Sequence, residues 1–323
     1  MADLDHAEWV VERGIGEDRA LLMAGERVIA AKLNWPGELF AGQVLTAKLS
    51  AKASGAKRGT AALDSGQEVL VDHLPTELTE GAEFPLVITR APIAEKGRLK
   101  KPQGRFSPEP GVKQTFWLDA ARETRAFPSG CWEEIWQAAS TGVIEFAGGS
   151  LTFSVTPAMT LIDVDGDGSP RDVSLAAVPA IARWLPLFDL GGNIGIDFPT
   201  INAKPERKAV DTALEYALAD WAHERTAMNG FGFVQIIARM EGPSLLHRFA
   251  TSRVGMCARM ALRLAERANG TGNCVLLTVH PALKAKLKTE WPDELARRTG
   301  RQVRIETDPA LALEAPSAQL ISS

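Results

Sequence analysis

The chain has 323 residues, 45% of them hydrophobic and 24% charged, which is the composition of a globular protein of two or three domains and excludes a disordered chain. Its net charge of −4 excludes a uniformly basic nucleic-acid-binding coat, although not a local basic patch. The acidic start and the lack of any run of about 18 apolar residues predict a cytoplasmic protein without a membrane anchor.

The first half of the chain has the pattern of short β-strands. Residues 18–31 predict a hairpin around an Ala-Gly turn, and the strand-length segments between Leu39 and Arg90 are separated by Gly, Ser and Pro. About five short strands in this length fit a small closed barrel of the OB type.

Lysines and arginines concentrate on this predicted barrel. The residues concerned are Lys48, Lys52, Lys57, Arg58, Lys96, Arg98, Lys100, Lys101 and Arg105. Such residues are often only a solvated surface, but distributed cations also bind phosphate backbones, so the cluster favours a nucleic-acid-binding face. Aromatic residues for base stacking are sparse in the same segment.

After Pro128 the pattern changes to alternating strands and helices. It predicts a hairpin around Gly148-Gly149, a strand ending at Asp163, a helix over 174–188 and a strand ending at Asp197. A helix over 204–226, a strand at 231–237 and a helix over 244–268 are predicted next. The chain is predicted to end with a strand, helix, helix, strand unit. Three distant cysteines without a CxxC pair indicate neither a disulfide framework nor a thiolate zinc site. No GxSxG, P-loop or HExxH motif occurs.

Two aspartates remain as the best candidates for chemistry. “MTLID” ends at Asp163 and “NIGID” ends at Asp197, with one predicted helix between them. A strand, helix, strand unit makes a parallel pair, so both carboxylates are expected at the same crevice. Two adjacent carboxylates repel unless a cation lies between them, and a partly hydrated Mg²⁺ completed by substrate phosphates meets that need. The alternative is that both are ordinary strand-end turn residues.

The stretch “DVDGDG” also leaves a calcium loop open. From Asp163 it has oxygens at positions 1, 3 and 5 and glycine at 6, as an EF-hand requires. Position 12 is Ser174 instead of a glutamate, Pro170 fits the loop badly, and the preceding segment has a strand pattern instead of a helical one.

Residues Gly148 to Phe198, “GGSLTFSVTPAMTLIDVDGDG…VSLAAVPAIARWLPLFDLGGNIGIDF”, resemble the core of the ribonuclease E/G family. The family pattern is a GGS hairpin, an “ALTTIDVN” strand, a helix “NLEAAxEIARQLRLRDLGG” and an “IIVIDF” strand. The resemblance continues through “RKAVDTALEYAL…GFGFVQIIARMEGPSL” and “VLLTVHPALKAKL…TGRQVRIETDP”, and “AALDSGQEVLVDHL…EKGRLKK” is similar to a reduced S1-type barrel.

The resemblance implies cleavage of single-stranded RNA by an endoribonuclease that uses Mg²⁺, with Mn²⁺ as an alternative ion. By position, Asp163 and Asp197 are the implied metal ligands, Asp165 stands where the family has an assisting asparagine, and Lys96 is the S1-type lysine. The further candidate RNA-binding residues are Lys57, Arg58, Arg98 and Arg239.

The fold implied is a multidomain α+β and α/β protein. An S1-type OB barrel (39–106) is inserted in an RNase H-like part (1–38, with the connection 107–147), followed by a DNase I-like α/β catalytic domain (148–242) and a helix with a small α/β C-terminal domain (243–323).

Several departures from the family pattern leave a second function open. The stacking aromatics of the S1-type barrel are Leu63 and Val69 here, Thr200 replaces a second acid, and the stretch before the hairpin is too short for a 5′-end sensor. The zinc-binding cysteine pair is also absent, so neither zinc nor a zinc-linked tetramer is expected, while a homodimer stays open. The alternative function is a catalytically weakened RNA-binding or regulatory protein.

Overall fold

The computed structural model describes residues 6–95, 97–108 and 117–322, and its first unit is an antiparallel meander. The strands are β1 (Glu8–Gly14), β2 (Glu17–Ala24) and β3 (Arg27–Asn34). The hairpin predicted at residues 18–31 is therefore confirmed, whereas the sequence pattern did not predict β1.

The next segment forms a closed five-stranded barrel, as predicted. Its strands and the hairpin that precedes the last of them are β4 (Val44–Lys52), β5 (Gly59–Leu63), β6 (Glu68–Asp72), β7 (Glu83–Arg90), β8 (Ile93–Glu95), β9 (Arg98–Lys100) and β10 (Gln103–Phe106). The barrel closes in the order β10-β6-β5-β4-β7, and β8 pairs with β9 in a separate two-stranded sheet. Strand β6 shows the alternation expected of a barrel strand: Val69 and Val71 are buried inside the barrel, whereas Glu68 and Leu70 face outward.

A six-stranded mixed sheet follows and carries the remaining strands of the central region. After a 3-10 turn (Trp117–Ala120), β11 (Arg122–Glu123) pairs with β1 and completes the first sheet. The central elements are α1 (Cys131–Thr141), β12 (Val143–Phe146), β13 (Gly149–Val155), β14 (Thr160–Gly166), α2 (Pro170–Leu187), β15 (Gly192–Asp197), α3 (Lys204–Ala217), β16 (His223–Arg225) and β17 (Phe233–Ala238). Their strand order is β12-β13-β14-β15-β17-β16.

The core lies against one face of this central sheet. Helix α2 contacts β12, β13 and β14 and also β3, so it lies between the central sheet and the first sheet. The buried residues of these elements form one continuous hydrophobic cluster. The opposite face of the central sheet carries the exposed positions of β14 and β15, which leaves it available for a ligand.

The helix predicted over 204–226 is wrong beyond Ala217. Residues 223–225 form β16 instead and pair with β17 at the sheet edge. The apolar spacing predicted a longer helix because Leu218 is buried and Trp221 is partly buried, although both lie beyond the end of α3. Backbone hydrogen bonding at the open edge of β17 then decides the conformation of the next residues.

The last part of the chain is a long helix and a three-stranded sheet. The elements are α4 (Leu245–Glu266), β18 (Cys274–Val279), α5 (Pro281–Lys286), α6 (Trp291–Thr299), β19 (Gln302–Thr307) and β20 (Ser317–Ile321). The predicted strand, helix, helix, strand unit is confirmed, with β18 parallel to β19, whereas β20 was not predicted. In the described part of the chain, no helix is long and apolar enough to cross a membrane. The division into domains at residues 38, 106, 147 and 242 stays a prediction.

A buried ionic network joins the first sheet to α4. The carboxylate of Glu12 is only 2% exposed and accepts hydrogen bonds from Arg19, at 2.8 Å, and from Arg263 and Arg267 of the helix region. Burial by itself would raise the pKa of Glu12, but the three guanidinium groups outweigh it and hold the pKa below its usual value. The charge of Glu12 is therefore neutralised within the protein.

The Gly191-Gly192 pair is explained by a close crossing of the backbone. A Cβ on Gly191 would lie 2.3 Å from the carbonyl oxygen of Arg239, so no side chain fits there. Gly192 has a φ of 81°, which glycine adopts more easily than other residues. Both glycines therefore allow β15 to start beside the end of β17.

We expect Gly191→Ala to destabilise the fold by about 1–3 kcal/mol, because the added methyl group must push two backbone segments apart. Gly230→Ala is the matched control, since a Cβ there meets no atom within 4 Å. Chemical denaturation of both variants measures the difference. Equal stabilities for the two variants would contradict the close approach.

We expect Glu12→Gln to cost about 3–5 kcal/mol at pH 7, because buried Arg19 and Arg263 would keep only their longer contacts with Glu17, at 3.9 and 3.4 Å. The pKa of Glu12 is lowered in the folded state, so its contribution is present above the unfolded pKa of about 4.3 and is lost as the pH falls through the folded value. Denaturation curves should therefore show the two proteins converging in acid. Glu8→Gln removes an exposed pair with Arg122 and should cost much less, because exposed ion pairs contribute little to stability. A similar cost for both variants would argue against a special role for Glu12.

Candidate active site

Strand β14 presents two aspartates on one face and apolar residues on the other. Ile162 and Val164 are buried against the helices, whereas Asp163 and Asp165 are exposed on the opposite face. This is the alternation that a strand imposes on successive side chains. The sequence “LIDVDG” therefore determines that both carboxylates share the open face of the central sheet.

Strand β15 runs parallel to β14 and adds the third carboxylate. In the register of this pair, Asp163 is the direct partner of Asp197, and Ile162 is the partner of Ile196. Adjacent strands lie about 4.8 Å apart, so the two aspartates are lateral neighbours on the same face. The predicted juxtaposition of the two strand ends is therefore present.

The three carboxylates interact unfavourably. Partial burial raises the pKa of Asp163, and the neighbouring Asp165 and Asp197 raise it further. No described lysine or arginine contributes to this shift. The site therefore has uncompensated negative charge, in contrast to Glu12 in the core.

The structure excludes the EF-hand interpretation of this stretch. Asp163 and Asp165 lie within β14 and are hydrogen bonded to β13 through the ladder, so the segment is not a loop. Helix α2 begins at Pro170, where Ser169 caps it by accepting a hydrogen bond from Asp172 N at 3.2 Å. The Ser-Pro pair is a helix-start signal, which is why the helix begins four residues before the predicted Ser174.

The carboxylates fit a magnesium ion better than an ion whose ligands must all come from the protein. Among the described residues, no group of three or more His, Cys, Asp or Glu side chains is arranged to hold a metal. Mg²⁺ is commonly held by one or two carboxylates, with waters and phosphate oxygens as its other ligands. The pair Asp163 and Asp197 matches that requirement and would gain from a nearby positive charge.

Two hydroxyl groups on β13 also face this site, and sequence reasoning missed them. Thr152 is the antiparallel partner of Asp163, and Ser150 is the partner of Asp165. Directly opposite residues have Cβ atoms about 4.5–5.5 Å apart, so these hydroxyls flank the carboxylates. The register of the predicted hairpin around Gly148-Gly149 was the signal that could have identified them.

The candidate RNA-binding arginines are all paired with acidic residues. Arg58 lies 2.6 Å from Asp72, Arg98 lies 2.5 Å from Glu95, and Arg239 lies 3.5 Å from Glu241. Their charge is thus partly compensated, which the sequence pattern did not indicate. Lys57 lies in the exposed loop between β4 and β5, and Lys96 lies outside the described residues.

Arg98 and Arg239 lie at the end of the sheet opposite the aspartates. Ala238, next to Arg239, is the register partner of Gly192, at the start of β15, whereas Asp197 ends that strand. Five residues of strand correspond to about 16 Å. Arg98 contacts the carbonyl of Pro157, which lies before β14 begins.

A cleft of about 220 Å³ lies between the β8–β9 hairpin and the start of β14 and β15. Its lining includes Arg90, Lys100, Asn193 and His247. Burial lowers the pKa of His247 to about 4, so this residue is neutral at pH 7 and adds no charge to the cleft. Asn193 lies on the same face of β15 as Asp197 but at the start of the strand, four residues or about 13 Å away, and the ring of Phe233 packs over Gly195 between them. The cleft therefore lies at the strand ends away from the carboxylates.

The central part of the chain is similar to proteins of known family. Residues 123–239 match the sequence profile described as the Ribonuclease E/G family. The chain is also 28% identical over 191 residues to Ribonuclease G of Escherichia coli (strain K12), and equally so to Ribonuclease G of Shigella flexneri and of Salmonella typhimurium (strain SL1344).

These matches cover part of each protein. They span 50% of this chain and 39% of each of the three relatives, so the matched region is about two fifths of the length of those proteins. The matched family segment contains both β14 and β15 with their aspartates. Residues 123–239, which hold both aspartates, are therefore similar to the ribonuclease E/G family.

Proposed function

We propose that the protein is a Mg²⁺-dependent endoribonuclease that hydrolyses phosphodiester bonds of single-stranded RNA and leaves a 5′-phosphate and a 3′-hydroxyl. The observation that carries the proposal is the register pairing of Asp163 with Asp197 on the open face of the central sheet. The relatives named Ribonuclease G support RNA as the substrate class.

The carboxylates have separate roles in this proposal. Asp163 and Asp197 would hold Mg²⁺, with Mn²⁺ as an alternative ion, and Asp165 assists by orienting Asp163 from the next exposed position of β14. The ion supplies Lewis-acid stabilisation of the charge that develops on the scissile phosphate. Thr152 and Ser150 provide hydroxyls that can hydrogen bond to the carboxylates or to the substrate.

The barrel side of the molecule would guide the RNA toward the carboxylates. Lys57, Arg58, Lys96, Arg98 and Arg239 are the proposed phosphate contacts. Because Arg58, Arg98 and Arg239 already pair with acids, RNA phosphates must compete with those partners. We therefore expect weak, salt-sensitive binding along this path.

A second candidate function, an RNA-binding or regulatory protein with weakened catalysis, is favoured by one observation. Leu63 and Val69, which stand at the aromatic positions of the S1-type barrel, are buried in its core and cannot stack on a base. Loss of tight strand binding would lower cleavage even with an intact aspartate pair.

We expect the wild-type protein to cleave labelled single-stranded RNA with Mg²⁺, and Asp163→Asn or Asp197→Asn to lower the rate by at least about 100-fold, because each removes an ion-holding carboxylate. Gel analysis of the labelled products measures the rates and the end groups. Asp167→Asn is the control, since Asp167 lies beyond the last residue of β14. The catalytic proposal fails if wild type is inactive or if both variants cleave at the wild-type rate.

We expect Asp163→Asn to raise the melting temperature in EDTA, because it removes repulsion between neighbouring carboxylates. The pKa of Asp163 is raised, so its ionised form opposes folding at pH 7 and the penalty disappears in acid. Mg²⁺ should stabilise wild type by about 1.4 kcal/mol at ten times its Kd, and the variant much less. Thermal unfolding with and without Mg²⁺ tests this, and an equal Mg²⁺ effect on both proteins would contradict an ion at the aspartate pair.

A further inference from the structure

Phe231 is an exposed aromatic residue beside the carboxylate site. Its side chain is 81% exposed, and it lies in the turn that leads into β17. Single exposed apolar residues are common and carry no meaning by themselves. The position is informative, because Phe233, two residues later, is the register partner of Asp197. The Cα atoms of Phe231 and Asp197 are therefore within about 12 Å of each other.

The backbone around Phe231 is held firmly. The side-chain oxygen of Asn229 accepts hydrogen bonds from the amides of Phe231, at 2.9 Å, and Phe233, at 3.1 Å. The hydroxyl of Thr200 donates to the carbonyl of Phe231 at 3.4 Å, which ties the turn to the segment after Asp197. The turn is thus ordered before any ligand binds, while the ring itself stays in solvent.

Gly232 allows this turn to approach β15. Its φ is 91°, and a Cβ at this position would lie 2.3 Å from the carbonyl oxygen of Phe198. The amide of Phe198 donates to the carbonyl of Gly232 at 3.1 Å. The close contact fixes the distance between Phe231 and the end of β15.

The barrel offers no comparable ring in its described residues. Phe84 and Phe106 belong to the barrel core, with ring centroids 6.1 Å apart, and Phe40 is half-buried. Binding of single-stranded nucleic acid combines cations with exposed aromatic faces. On this protein the aromatic face lies next to the aspartates instead of on the barrel.

Two lysines follow Thr200, the residue that holds the turn of Phe231, along the chain. Lys204 begins α3 four residues after Thr200, and Lys208 lies one helical turn later. Both side chains are exposed. An aromatic ring with lysines nearby matches the flat base and the charged phosphate of a nucleotide better than it matches the apolar surface of a protein.

We propose that Phe231 is a stacking platform for one nucleobase of single-stranded RNA, next to the phosphate that lies at Asp163 and Asp197. The position of that phosphate rests on the proposed function, whereas stacking requires only that RNA binds. Every base has a π face, so the platform accepts RNA without a strict sequence preference. It fixes which phosphate reaches the carboxylates by holding the adjacent base.

The test uses a short fluorescein-labelled single-stranded RNA with one internal 2-aminopurine, in EDTA so that no cleavage occurs. Phe231→Leu keeps an apolar side chain but removes the ring, and it should weaken binding by about 5- to 150-fold and abolish the quenching of 2-aminopurine. Phe231→Trp should keep both. Fluorescence anisotropy gives the affinity, and the melting temperature confirms that each variant is folded.

Tyr216→Leu is the matched control. Tyr216 is 79% exposed, like Phe231, but it lies near the far end of α3, about 18 Å along the helix from Lys204. This variant should bind RNA as wild type does. An equal loss of affinity in both variants would overturn the proposal.

The outcomes separate this inference from the proposed function. If wild type does not cleave RNA with Mg²⁺ but Phe231→Leu loses binding and quenching, the endoribonuclease proposal fails and the stacking platform stands. If wild type cleaves and Phe231→Leu binds and cleaves equally well, the stacking platform alone is overturned. It is also overturned if wild type does not bind RNA, or if Phe231→Leu changes only the oligomeric state measured by sedimentation.

Discussion

The parallel register of β14 and β15 is the constraint on which the site depends. A slip of one residue would turn Asp163 or Asp197 toward the helix-packed face, because side chains alternate along a strand. The register is held by Ile162, Val164 and Ile196, which are buried on that face. Burying such side chains is worth about 1.5–3 kcal/mol each, whereas two like charges 4 Å apart in water repel by about 1 kcal/mol. Hydrophobic burial therefore prevails and brings the carboxylates together.

Glu12 and Asp163 are carboxylates in opposite electrostatic surroundings. Glu12 is buried between three arginines, has a lowered pKa and joins the first sheet to α4. Asp163 is exposed beside two other carboxylates, has a raised pKa and no described cationic partner. The first arrangement stabilises the fold, and the second is tolerated at a cost, which is typical of a functional site. The direction of the pKa shift and the presence of cationic partners thus distinguish the structural carboxylate of Glu12 from the candidate catalytic carboxylate of Asp163.

The distribution of cations and aromatic rings changes which part of the molecule, the barrel or the central sheet, is expected to make most contacts with RNA. The barrel is basic in sequence, but Arg58 and Lys101 pair with Asp72 and Glu68 on its own strands. Its aromatic residues serve the core. The open face of the central sheet instead combines hydroxyls and carboxylates, and the exposed Phe231 lies in the turn before β17. If the proposed function holds, recognition of RNA is concentrated near the aspartates and not on the barrel.

The sequence by itself determined the local features of this protein, because they depend on neighbouring residues. Alternation in “LIDVDG” placed Asp163 and Asp165 on one face of a strand, and the strand, helix, strand pattern brought Asp197 beside Asp163. Short strands and turn residues likewise predicted the barrel. The family resemblance, which rests on ordered motifs, named the same two aspartates.

Only the tertiary structure decided what depends on distant partners. It showed that Arg98 and Arg239 are paired with acids and lie at the far end of the sheet, that α3 ends at Ala217, and that Thr152 faces Asp163. It also fixed Phe231 next to β15, because the amide of Phe231 donates to Asn229 and its carbonyl accepts from Thr200. Ion pairs, strand edges and close backbone contacts join residues far apart in the chain, and no local pattern of charge or hydrophobicity encodes them.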